Sequence, residues 1–145
     1  MKYDLGGMGM NGPSATIDRL VRATNTHDLV ALTACFAEDY VNETPVHPAR
    51  GFRGRAQVGR NWEQIFGFVP DIQAEVIRRS VDAETIWTEW EMRGTRRDGK
   101  SHWMRGAIVF GVEQDLIRWA RFYLEPVDES DATVDDAVRK QVVPQ

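Results

Sequence analysis

Glu43 and His47 stand four residues apart in a loop bounded by Pro45 and Pro48, and they form the only cluster of a carboxyl with an imidazole that the sequence offers. A carboxyl group placed against apolar walls has its pKa raised towards neutrality, which suits it to pass a proton near pH 7. The expectation is therefore Glu43 as acid–base with His47 as its partner and Asn42 as a nearby polar anchor. The competing reading is a solvated or arginine-paired surface carboxylate. His102 precedes Trp103 in a strand-like run, and its inward parity allows a place in a pocket or on its rim. His27 follows the first helix-like run, where it caps a C-terminus or faces water. Three dispersed histidines and one cysteine contain no His-x-x-x-His or paired-cysteine spacing, so neither a metal nor a cofactor is expected. Cys35 sits in an apolar run and reads as a buried core thiol.

Such residues need elements to place them. At 145 residues and 42% hydrophobic content, the chain can bury one substantial core but not two. A net charge of −4 with both signs dispersed supplies no basic stripe for a phosphate backbone, so nucleic acid is not an expected partner. No apolar run reaches the ~18 residues of a membrane span, and the N-terminus lacks the basic-then-apolar order of a secretory signal. A cytoplasmic setting without membrane association is the expectation.

Residues 1–13 carry four glycines and three methionines without periodicity and are expected to form a disordered arm. Ser14 offers an N-cap for a first helix carried by Ile17, Leu20, Val21 and Thr24. Asp28 caps a second, expected to run through Leu29, Leu32, Cys35 and Phe36 to about residue 39. A short strand over 40–45 and a loop with Gly51 and Gly54 follow. Val58, Trp62, Ile65 and Phe66 give a third helix over 55–68. Strands are expected over 72–81, 85–96, 101–112 and 116–126, with Asp98-Gly99 as a tight turn. The order, helices first and a strand meander after, predicts an α+β domain over 14–126, with three N-terminal helices covering one face of a curved, largely antiparallel sheet. Residues 127–145 form an acidic tail in which Val134, Val138 and Val142 could mark a short amphipathic helix.

Period-two alternation divides the strand residues into two sets. Thr88, Trp90, Met92, Met104, Gly106, Ile108, Phe110, Ala120, Phe122 and Leu124 are almost wholly apolar and are expected beneath the helices. Trp87, Glu89, Glu91, Arg93, Trp103, Arg105, Trp119, Arg121 and Tyr123 mix aromatics with charges and are expected outside. Burying the first set gains roughly 25 cal/mol per Å², whereas burying the second would strand charges. Outer aromatics beside arginines have the composition of an interface core, so Trp87, Glu89, Trp103, Arg105, Trp119, Arg121 and Tyr123 predict a homodimer through that face. Asn42, Trp62, Phe66, Trp90, Met92, Met104, Phe110 and Phe122 are the expected walls of an internal pocket for a small apolar molecule.

The ending Arg121-x-Tyr123-x-Glu125-Pro126 resembles the closing strand of the nuclear-transport-factor-2-like superfamily, and the stretches 54–71 and 117–126 resemble its SnoaL-like branch, named for polyketide cyclases. The resemblance runs from Thr16 to Pro126 and implies a cone-shaped, cystatin-like α+β roll. It also implies cofactor-free chemistry of cyclase, isomerase or dehydratase type on a polyketide-, terpenoid- or steroid-like substrate, or else a carrier or dimeric interaction module without activity. Limonene-epoxide hydrolases of this fold place acids and an arginine where this chain holds Trp90, Met92 and Phe122, none of which can transfer a proton; Glu43 falls where their water-orienting asparagine would stand. Ketosteroid isomerases need a general-base aspartate where Thr44 falls and donors where Leu20 and Gly106 fall. Both activities are therefore disfavoured, and the SnoaL-type acid falls to Glu43.

Overall fold

The computed structural model describes residues 12–144; the expected arm over 1–13 lies, apart from its last two residues, outside them. Helix α1, Pro13–Asn25, starts with proline at its first position, where a missing N–H costs nothing and the fixed φ favours the helix. Ser14 is thus inside the helix instead of capping it, and its Oγ accepts a hydrogen bond from Arg79. Asp28 caps α2, Leu29–Ala34, by accepting from the Ala31 amide at 3.0 Å.

Helix α2 is shorter than its apolar spacing predicts. Strand β1, Phe36–Glu43, takes residues expected to be helical. It runs parallel to the final strand, with Phe36 opposite Ile117 and Val41 opposite Trp119, and the register shifts between them. Pairing with a strand about eighty residues away overrides the local helical preference, and the irregular register hides the period of two. A 3-10 turn, Pro48–Arg50, and a two-residue strand β2, Phe52–Arg53, replace the expected loop. Helix α3 spans Arg55–Phe68.

Four long strands follow: β3 Gln73–Asp82, β4 Thr85–Thr95, β5 Ser101–Glu113 and β6 Leu116–Pro126. The sheet order is β2-β1-β6-β5-β4-β3, antiparallel except for β1 against β6. The result is the mixed α+β roll that the element order implies, a curved six-stranded sheet with α1, α2 and α3 on its concave side. Among the described residues no helix is long and apolar enough to cross a membrane.

The two faces divide as alternation requires. Thr88, Trp90, Met92, Ile108, Phe110 and Ala120 are buried in the core with Ile17, Leu20 and Leu32 from the helices. Gly106 adopts φ 147° opposite Leu124, a region closed to side chains. A Cβ there would run into the Tyr123 carbonyl. Trp119 lies over Gly111 on the convex side, in space that a Cβ would occupy.

After β6, helix α4, Val134–Val142, is held by a capping box in which Thr133 Oγ1 accepts from the Asp136 amide and Asp136 accepts from the Thr133 amide. It buries none of its own residues, and Val134, Val138 and Val142 remain exposed.

Candidate functional site

A cavity of about 310 Å³ opens between α3, β1 and the concave faces of β4, β5 and β6. Its walls are chiefly apolar. Of the expected pocket residues, Asn42, Trp62, Met92, Met104 and Phe122 line it. Trp90 and Phe110 do not: each is 1% exposed, their rings pack 6.2 Å apart, and both belong to the closed core. Trp90 Nε1 donates to Thr88 Oγ1 at 2.6 Å, and Thr88 donates to the Ile108 carbonyl at 2.7 Å, so the indole has its partner within the core. Phe66, one helical turn beyond Trp62, lies between Trp62 and His27 at ring distances of 5.5 and 5.3 Å and is also absent from the wall. Parity along a strand or helix assigns the side of a residue but not its depth.

The polar groups of the cavity differ from those the loop spacing suggests. Glu43 points to the convex side, where its Oε1 accepts from Arg121 Nη1 at 2.9 Å and borders an outer cleft with Arg53. Its parity in β1 is that of Val41, opposite to Tyr40 and Asn42. His47 bonds to Glu125 instead, Nε2 to Oε1 at 3.1 Å, and Arg50 Nη1 stands 4.0 Å from the second carboxylate oxygen. Glu125, Arg50, Thr44 and His102 belong to the cavity wall. The acid beside the imidazole is therefore Glu125, at the end of β6, seventy-eight residues from its partner.

His102 enters the cavity from the first turn of β5, opposite Gly94. Burial first, and then the positive charge of Arg96, hold its imidazole below the usual histidine range; both disfavour the charged ring. The imidazole is thus biased towards its neutral form. His27 takes a structural place, with Nε2 2.8 Å from the Ile72 carbonyl. Cys35 is a buried thiol whose pKa burial pushes up. Among the described residues no three His, Cys, Asp or Glu side chains converge as a metal cluster.

On the convex face, Trp103 Nε1 and Arg105 Nε both donate to Glu91 Oε2, at 2.7 and 2.9 Å, and Arg93 lies 4.3 Å above the indole. The Trp103 bond and then Arg105 hold the Glu91 carboxyl below its ordinary range. Glu89 is paired with Arg78 at 2.9 Å. Trp87 and Tyr123 remain 55% and 39% exposed.

Residues 17–120 match the model of the SnoaL-like domain, and the chain belongs to that family. Solved structures with this fold include the putative polyketide cyclase IdmH of Streptomyces antibioticus, with TM-score 0.69 and 24% identity over 79% of this chain and 93% of that one. A limonene-epoxide-hydrolase-like enzyme of Mycobacterium tuberculosis has TM-score 0.66 and 18% identity over 77% and 80%. A third, also from Mycobacterium tuberculosis and in complex with estradiol-17beta-hemisuccinate, has TM-score 0.66 and 19% identity over 76% and 91%. No curated protein sequence matches the chain.

Proposed function

We propose that this SnoaL-like domain binds a small, largely apolar molecule in its internal cavity and moves a proton on it without a cofactor. The observation that carries the reading is a chiefly apolar chamber of about 310 Å³ whose wall also holds a few titratable groups, His102, Glu125, Arg50 and Tyr40. That volume is at the lower end of the roughly 300–1,000 Å³ typical of ligand sites, which favours a compact polyketide-, terpenoid- or steroid-like molecule. His102, kept neutral, is the base, and Glu125, held by His47 at the end of β6, is a polar group of the same wall. Glu43 has no part in it. The described likenesses support the ligand class: IdmH is named a putative polyketide cyclase, and one Mycobacterium tuberculosis relative holds a steroid ester.

The test is a filled cavity. Replacing Met104 by tryptophan should abolish the binding heat of a bicyclic apolar ligand in titration calorimetry while leaving the far-ultraviolet circular-dichroism spectrum that of a folded chain. Undiminished binding in a folded M104W protein would move the site elsewhere.

The convex face supports a second element of the reading, a homodimer. Trp87 and Tyr123 are exposed among ion pairs that are already satisfied within one chain, so a second copy would cover aromatic area without leaving charges unpaired.

A further inference from the structure

Tyr40 and Asn42 lie two residues apart on β1, which turns both side chains to the concave side. Both are withdrawn from solvent, at 1% and 8% exposure, and both line the cavity. Tyr40 Oη donates to Asn42 Oδ1 at 2.7 Å. Burial pushes the phenol far above its ordinary range, so the donor keeps its proton. This bond fixes the carboxamide, with its oxygen towards the tyrosine and its NH2 turned away from it. Among the described residues the only sealed side-chain nitrogen or oxygen without a partner is Arg118 Nε. Asn42 Nδ2, for which no described residue provides an acceptor, is therefore not sealed; Asn42 borders both this cavity and the outer cleft beside Glu43, and the side chain's concave parity, shared with Tyr40, directs the amide to the cavity.

A dry NH2 group is costly until an acceptor meets it. We infer that the ligand is an apolar molecule bearing a neutral carbonyl oxygen, seated against Asn42 Nδ2, an inference that rests on the cavity being the ligand chamber. A carboxylate is the wrong acceptor, because an amide alone cannot offset the desolvation of a full charge and Arg50 is already drawn towards Glu125. A donor group such as an amine is also wrong, because Nδ2 cannot accept. Tyr40 is the positioning residue and Asn42 the binding residue.

The probes are 1-tetralone and tetralin, which share a bicyclic skeleton and differ by one carbonyl. Titration calorimetry should show the wild-type protein binding the ketone about tenfold more tightly than the hydrocarbon. The infrared carbonyl stretch of bound tetralone should fall below its value in hexane. In Asn42→Leu the preference should vanish and the stretch return to the hexane value, with tetralin binding retained. Tyr40→Phe, which keeps the ring but frees the amide to turn, should give an intermediate preference; it and the wild-type stretch decide the matter if the leucine variant does not fold. An unshifted stretch in the wild type, or an equal preference in wild type and variants, overturns the inference alone. Failure of both probes to bind the wild type overturns the ligand chamber and this inference with it.

Discussion

His102 is the residue on which the proposed chemistry can be checked without knowing a substrate. Its Cε1 proton should titrate with a midpoint below the ordinary histidine value of about 6.5, and Arg96→Gln should move that midpoint part of the way up, leaving the share due to burial. The sign for stability follows from the same shift. The unfolded chain binds this proton at a higher pH than the native one, so the contribution of His102 is complete above about pH 6.5 and is lost as pH falls towards its native midpoint. His102→Gln should flatten that part of the pH–stability curve as measured by urea unfolding; an unchanged slope would mean another group is responsible. The sequence carried the inward parity of His102 and the sides of Met92, Met104 and Phe122. It did not carry Glu125. That residue occupies a strand end beside Pro126, where alternation lapses, and its meeting with His47 depends on the turn after β1 folding back over β6. Glu43 left two readings open for a related reason: four-residue spacing in a proline-bounded loop says nothing about which side of β1 the glutamate leaves from, and the arginine-paired one is the geometry found.

The strands were legible as elements because their alternation is long and regular, and the boundary between α2 and β1 was not. Residues 36–39 are extended because β6 offers them a partner, and nothing within their own neighbourhood announces it. The close approach of β5 to β6 is equally a property of two strands together. Gly106 is the one position where β5 approaches the Tyr123 carbonyl too closely for a side chain, at a φ that only glycine adopts without strain. Gly106→Ala should destabilise the fold by about 3 kcal/mol or more, read as a shift in the urea midpoint. A loss below about 1 kcal/mol would show that the two strands can separate locally without consequence.

The whole molecule presents two surfaces of opposite character, an apolar interior under the helices and a convex face laced with ion pairs. The proposed homodimer belongs to this scale. Light scattering at micromolar concentration should give twice the chain mass, and Trp87→Glu should return it to one chain with the far-ultraviolet spectrum intact; wild-type monomer would remove the interface. The parallel union of β1 with β6 has a consequence of its own. Residues 36–43 acquire their neighbour from residues 117–121, so a chain emerging during synthesis must wait for its last strand before the wall of the chamber can close. Contacts of such sequence separation form slowly because the intervening loop must be ordered first. Throughout that interval β1 has only the two-residue β2 beside it, and refolding should therefore be limited by the arrival of β6, not by the helices that precede it.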